Sequence, residues 1–264
     1  MKTCVIYAAS IFDSMKLNVI REFFSIFKDH FSDADFYIGI NYGTLPNLQK
    51  EIERYGLNCY FNYVKEERMY TKTDTSAYQS ALQILKTTGN KYDIYWFAHT
   101  KGGSNPREEI RRLYFNEMFF QRKNIENMFV QYPKLGSWGL RGNSISAAGV
   151  QWKDYNVDNV VPICSNIKTP PFNYTHVNWS YIETLYVLKK EPVEAYIDAC
   201  TDEYFTTPMN PWYFETVPGW IPSKCGYFPY VKIKRDFWDR CNLTDITKEW
   251  IIENNLPLDS YLNS

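Results

Sequence analysis

Along its first hundred residues the chain alternates between two hydrophobic rhythms. Val5-Ile6-Tyr7-Ala8-Ala9 is an unbroken apolar run, as a strand covered on both faces requires. Leu17, Ile20, Phe23, Phe24 and Phe27 then recur at three- and four-residue spacing, which marks one stripe of a helix. The pair repeats twice more. Phe36–Ile40 reads as a strand ending at Asn41-Tyr42-Gly43, and Leu48–Tyr55 as a short helix closed by Gly56. Cys59–Val64 reads as a third strand, followed by a helix from about Thr75 to Thr87 and a strand over Asp93–Ala98. This alternation predicts a mostly parallel sheet flanked by helices, a Rossmann-like α/β fold.

The pattern loosens in the second half. Residues 107–132 are partly amphipathic and predict a helical region broken near Lys123. A turn at Tyr132-Pro133-Lys134 leads to a short strand over Leu135–Leu140. Residues 141–174 show little periodicity and suggest a long loop. Helices are expected over Tyr181–Leu188, near Val193–Cys200 and near Asp245–Asn254, with Pro208 and Pro211 bracketing a turn. No repeat or linker interrupts the chain. One domain over 1–240 with a helical tail over 241–264 is the expectation.

Composition narrows the function classes. With 264 residues, 45% of them hydrophobic, the chain can bury a sizeable core. A formal charge of -1 argues against general nucleic-acid binding, which needs a basic surface. The 22 Tyr, 17 Phe and 8 Trp fill cores, but Tyr and Trp also stack on sugar rings and bases. Six scattered cysteines form no C-x-x-C pair, so no structural metal site is expected. The apolar part of the N-terminus is too short for a signal peptide, and no run of eighteen apolar residues exists to span a membrane. A soluble, cytoplasmic protein follows, in which the sequons at Asn173, Asn178 and Asn242 are coincidental.

Candidate chemistry gathers where strands end. In Tyr92-Asp93-Ile94-Tyr95-Trp96-Phe97-Ala98-His99-Thr100-Lys101-Gly102-Gly103, an apolar strand gives way to three polar groups and two glycines. The carboxyl end of a strand in an α/β sheet is where ligands sit. His99, Thr100 and Lys101 there suit an anion such as a diphosphate, with Arg107, Arg111 or Arg112 adding charge. An ordinary polar turn is the plain alternative. Asp74 opens a helix and reads equally as its N-cap or as an acceptor for a base or ribose group. The exit of the first strand, Ala8-Ala9-Ser10, joins the same edge. Glu215, set among Trp212, Tyr213, Phe214 and Trp220, is a candidate general base whose partial burial would raise its pKa. His176, Asn178 and Trp179 combine polar and aromatic groups that either bind an acceptor sugar or pack a loop. Asp33-Ala34-Asp35 precedes the second strand and reads as a solvated turn at the opposite edge, and His30 as structural.

Taken in order, these pieces resemble the glycosyltransferase-like proteins of the rhamnan-synthesis F type. The shared features are a Val-Ile-Tyr first strand, Thr73-Asp74-Thr75-Ser76-Ala77-Tyr78, Tyr92-Asp93, His99-Thr100-Lys101, an arginine-bearing helix and Pro133-Lys134-Leu135-Gly136. More loosely the chain is similar to the GT-A class of nucleotide-sugar transferases. The likeness spans about residues 3–230, and its specific part is 70–140. It implies a GT-A-like domain in which Asp74 contacts the donor nucleotide and His99, Thr100 and Lys101 lie beside its diphosphate. It also implies Glu215 as the base of an inverting transferase. Thr175–Trp179 match the family's acceptor-side segment only loosely, and the glycine usual after the first motif's aspartate is missing here.

The resemblance implies transfer of a sugar from a nucleotide-diphosphate donor to a carbohydrate hydroxyl. Donor contacts are expected from Ala8, Ala9, Ser10, Asp74, Thr100, Lys101 and Arg107, and acceptor contacts from His176, Asn178, Trp179 and Trp212. Glu215 and His99 are the expected catalytic groups. Many such transferases hold a divalent cation, Mn or Mg, with an acidic D-x-D where this chain has Lys101. Metal independence is therefore expected here, with a cation at Asp74 or Glu215 as the alternative. A non-catalytic carbohydrate- or nucleotide-binding module is the main rival, and a His99-based hydrolase or nuclease the weaker one.

Overall fold

A computed structural model describes residues 1–67, 74–100, 108–145, 178–181, 184–208, 214, 221–222, 225 and 227–234. The first half runs β1 (Thr3–Ala9), α1 (Leu17–His30), β2 (Asp35–Ile40), α2 (Leu48–Glu53), β3 (Asn58–Tyr63), α3 (Asp74–Thr88) and β4 (Ile94–His99). Each of these elements was expected from the hydrophobic pattern. Then come α4 (Glu108–Tyr114), a π-helical turn (Phe115–Phe119), α5 (Arg122–Gln131), β5 (Leu135–Ile145), β6 (Asn178–Tyr181), β7 (Tyr186–Lys189), α6 (Lys190–Ala199), α7 (Asp202–Thr206) and β8 (Phe228–Lys234).

One mixed sheet of eight strands carries these elements in the order β3-β2-β1-β4-β7-β5-β6, with β8 beside β5. Strands β1 to β4 are mutually parallel, and β7 runs antiparallel to β4. Val5 and Trp96 face α1 and the π-turn, while Ile6 and Phe97 face α3 and α6, so helices cover both faces. This is the expected α/β architecture, a Rossmann-like sheet flanked by helices. The α1 face is packed by aromatic rings. Tyr7 meets Phe24 at 5.2 Å and Phe23 meets Phe115 at 5.0 Å, both edge-on. Edge-on rings pair positive rims with negative faces, which adds to their area burial. The π-turn inserts one residue, with Phe120 N–H donating to Phe115 O at 2.9 Å, and keeps Phe115 and Phe119 both on the core.

Three expectations are corrected. Tyr181–Leu188 is not a helix but the end of β6 and most of β7. Leu185-Tyr186-Val187-Leu188 is a fully buried run, and such a run suits strand and helix alike until a partner is known. Thr184, with φ 52°, breaks any helix there, and pairing with Ile94–Phe97 on β4 decides for strand. The helical break expected near Lys123 does occur, at Phe120–Gln121. The strand starting at Leu135 continues to Ile145 rather than stopping at Leu140. Asn178 and Trp179 therefore belong to β6, paired with Ile145 and Ser144, and not to a loop. The expected helix near Asp245–Asn254 and the tail over 241–264 lie outside the described residues.

Topology makes the site. The chain steps outward from β1 to β2 to β3, and α3 then carries it back across β2 and β1 to lay β4 on the other side of β1. The helix after β1 covers one face, and α3, which follows β3, starts on the other, so the β1 exit and the start of α3 flank the carboxyl ends of β1 and β4. Gly39 permits this crossing. A Cβ on Gly39 would stand 1.7 Å from the carbonyl oxygen of Ala77, in the first turn of α3.

Candidate functional site

The exits of β1, β2 and β4 are stitched together by short polar bonds. Thr100 N–H donates to Ala8 O at 3.1 Å, and the Thr100 hydroxyl donates to the same carbonyl at 3.3 Å. That hydroxyl accepts from Ser10 N–H at 3.1 Å and from the Tyr7 phenol at 3.4 Å. A hydroxyl has one donor and two acceptor positions, so Thr100 is fully used in holding the β1 exit to the β4 exit. On the other side, Asn41 N–H donates to Ala9 O at 3.0 Å and its carboxamide reaches Ser10 Oγ at 3.3 Å. Asn41 also accepts from Tyr42 N–H at 3.0 Å through its side-chain oxygen, closing the β2 exit into a turn.

Over this platform His99 and Asp74 meet. Strand alternation turns His99 towards the α3 face, and α3 begins at Asp74. His99 Nδ1 lies directly against Asp74 Oδ2; the histidine side chain is 7% exposed and the carboxylate 26%. The carboxylate against Nδ1 fixes how the imidazole ring is turned at the mouth of the sheet. Asp74 lies in the first turn of α3 as described. Its carboxylate orients His99 and sits at the positive end of α3.

Two buried tyrosines frame the pair. Burial pushes the Tyr7 phenol far above its ordinary range, Asp74 raises it further, and the Thr100 bond and Arg111 pull the other way. Tyr7 is therefore a neutral donor. Tyr78, also pushed up mainly by burial, donates to Thr184 O at 2.8 Å and ties α3 to the start of β7. Of the arginines considered, Arg111 is nearly buried and bonds Glu22 at 2.6 Å, whereas Arg112 is an exposed partner of Glu108.

Ala8, Ala9, Ser10, Asp74, His99 and Thr100 thus converge on one edge of the sheet, as expected. Lys101, Arg107, His176, Trp212 and Glu215 lie outside the described residues. Asn41 and Tyr7 were not singled out from sequence. Only their place at strand exits hinted at a role, and many core residues share that place. Among the described residues no three His, Cys, Asp or Glu side chains gather into a metal cradle. Asp33-Ala34-Asp35 does stand at the opposite edge, but it is not simply solvated. Asp33 pairs with Arg122 at 2.5 Å, and Asp35 accepts from the Tyr92 phenol at 2.7 Å. His30 ends α1 with its carbonyl accepting from Arg122 at 2.7 Å, a structural role.

No protein-family model and no curated protein matches the chain. Several solved structures align along it, three of them as follows. One is a CMP:2-keto-3-deoxy-manno-octonic acid synthetase complexed with CTP, with TM-score 0.41 and 10% identity over 89% of this chain and 90% of that one. A second is 4-diphosphocytidyl-2C-methyl-D-erythritol synthase from Anaerococcus prevotii DSM 20548, with TM-score 0.39 and 12% identity over 100% and 99%. A third is core-mannan synthase A from Aspergillus fumigatus in its Mn/GDP form, with TM-score 0.37 and 8% identity over 88% and 72%. Likenesses this distant carry no argument about function, which rests on the geometry. Among the described residues no helix is long and apolar enough to cross a membrane.

Proposed function

We propose that the chain is a glycosyltransferase that moves a sugar from a nucleotide-diphosphate donor to a carbohydrate hydroxyl. The observation that carries this reading is the meeting of His99 with Asp74 over the Ser10–Thr100 platform, at the carboxyl ends of β1 and β4. The motif order that resembles the rhamnan-synthesis F type supports it. In this reading the nucleotide lies across Ala8, Ala9 and Ser10, with the half-exposed rings of Phe12 and Tyr42 available to its base. The diphosphate lies beside His99, Lys101 and Arg107.

The acceptor oxygen attacks the anomeric carbon as the bond to the diphosphate oxygen breaks, and the nucleoside diphosphate leaves with the electron pair. Glu215 takes the acceptor proton. Lys101 and Arg107 meet the charge that develops on the leaving oxygen, where fixed positive groups act most strongly, and the His99 ring lies beside them. His176, Asn178, Trp179 and Trp212 are assigned to the acceptor side. No step is routed through a metal.

Thermal-shift measurements with nucleotide diphosphates and nucleotide sugars test the site, because a ligand that binds only the folded state raises its melting temperature. At least one is expected to stabilise the protein, with a much smaller shift in Asp74→Asn. A flat response across the panel overturns the reading. Nucleotide release in the presence of acceptor then tests catalysis, and Lys101→Ala is expected to abolish it with the fold intact. The rival reading, a binding module without turnover, predicts a thermal shift with no release. It is favoured by the commitment of the Asp74 carboxylate to His99 and by Lys101 at the usual acidic position.

A further inference from the structure

Away from the His99–Asp74 edge, an open groove of about 790 Å³ runs beside the outer strand β3. Its floor is the exposed flank of α3, with Gln83, Ile84 and Thr87. Its walls are the end of β3 with Lys65 and Glu66 on one side, and Thr206 with Pro208 on the other. That volume is in the range of ligand sites, and its chemistry is mixed. The Gln83 carboxamide is held by Asn62, whose side-chain N–H donates to Gln83 Oε1 at 3.2 Å and to Ser80 O at 3.0 Å. This leaves the two N–H donors of Gln83 for a ligand, already oriented. Thr87 and Thr206 spend their hydroxyl protons on helix carbonyls at 2.9 Å and 3.0 Å, which leaves their lone pairs as acceptors. Ile84 and Pro208 add small apolar surfaces, and Lys65 stands next to Glu66 and Glu67. One pre-set amide, two hydroxyl acceptors and small apolar patches without a dominant charge fit an uncharged polyhydroxylated ligand.

We propose that this groove binds carbohydrate and holds the distal part of a glycan acceptor. The second half of that statement rests on the transferase reading above. Gln83 stands nine residues beyond Asp74 on α3, about 14 Å along the axis at 1.5 Å per residue. A group bound there is too far to react at the His99–Asp74 edge. A chain of several sugars spans the gap, so the acceptor is an oligosaccharide or polysaccharide rather than a single sugar.

The test is native affinity electrophoresis of the full chain through gels containing mannan, galactan, xylan or dextran, with no nucleotide present. At least one of these is expected to retard the protein. Gln83→Ala removes the oriented donors and Thr87→Arg fills the groove from an exposed position. Each is expected to weaken retention at least fivefold while keeping the wild-type melting temperature. Retardation by none of the four polysaccharides, or equal retardation of wild type and both variants, overturns the proposal. Nucleotide thermal shifts on the same samples separate the two readings. Groove-dependent retention without any nucleotide shift keeps the carbohydrate site and ends the transferase reading, whereas a nucleotide shift without retention does the reverse.

Discussion

The two edges of the central sheet both carry buried charge, and they use it differently. At the amino edge, Arg122 is surrounded. Its guanidinium donates to Asp33, Glu126, Thr3 Oγ1 and the His30 carbonyl, and it lies 4.6 Å over the Phe31 ring. Nearby, the phenols of Tyr37 and Tyr92 bond one another at 2.9 Å, and Tyr92 donates to Asp35. Arg122 and the two phenols face protein and are used up by it, whereas Asp33 is largely exposed. At the carboxyl edge the platform is closed in the same way. His99 and Asp74 stand above it, with the carboxylate partly open to solvent. A pair of aspartates near a strand therefore says little until one knows which end of the strand it occupies.

The contrast is broken most severely at Gly39. Gly39→Ala drives a methyl group into the Ala77 carbonyl and forces α3 off the sheet. Because α3 begins with Asp74, loss of stability and loss of any nucleotide-dependent thermal shift are expected together. Overpacking of this kind costs about 1–3 kcal/mol, and more where backbone must move. A Gly39→Ala protein with wild-type melting and nucleotide response would show that α3 does not depend on this contact.

Next in size is Arg122→Met, which leaves the Glu126 carboxylate with the Thr3 hydroxyl but no countercharge and costs up to about 3 kcal/mol by analogy with broken buried pairs. Calorimetric melting reads the loss. The nucleotide-induced shift, corrected for the lower starting temperature, is expected to be unchanged, since the amino edge lies away from the proposed site. A lost shift would join the two edges functionally.

Thr100→Val keeps the shape and removes the hydroxyl, leaving Ser10 N–H and the Tyr7 phenol without their acceptor. Unsatisfied buried donors cost about 1–3 kcal/mol, and chemical denaturation measures that loss. Here the nucleotide response is expected to fall as well, in contrast to Arg122→Met.

The smallest effect is Asp33→Asn. The hydrogen bond from Arg122 holds the Asp33 carboxyl below its ordinary range. A depressed folded-state pKa contributes stability that is present above the unfolded value, about 3.9, and is lost as pH falls through the folded value. Asp33 is largely exposed, so screening keeps the contribution well under about 1 kcal/mol. Melting temperature followed from pH 6 down to pH 3 is expected to fall slightly less steeply in the variant than in the wild type. An identical slope would mean that the Asp33 pair contributes nothing.

The residues themselves explain how far the chain could be read without its structure. Strands β1 to β4 and helices α1 to α3 follow from local pattern, because each apolar run or stripe has one period and clear punctuation. Gly56 and Gly89, for example, close α2 and α3 at φ 65°. The later strands depend on partners far along the chain: β5 on Asn178–Tyr181 and Phe228–Lys234, β7 on Ile94–Phe97. No local pattern encodes those pairings, which is why Tyr181–Leu188 read as a helix.

For the site the division is similar. From amino-acid order alone, Asp74 belongs at the start of a helix and His99 and Thr100 at the exit of a buried strand, since short-range periodicity and turn chemistry act within a few residues. Only the folded chain decides that α3 recrosses two strands and sets Asp74 against His99. Only there, too, is the Thr100 hydroxyl turned inward as a tie between strands. Contacts between groups 25 or 90 residues apart are selected by sheet order and helix packing, which are collective properties of the whole core.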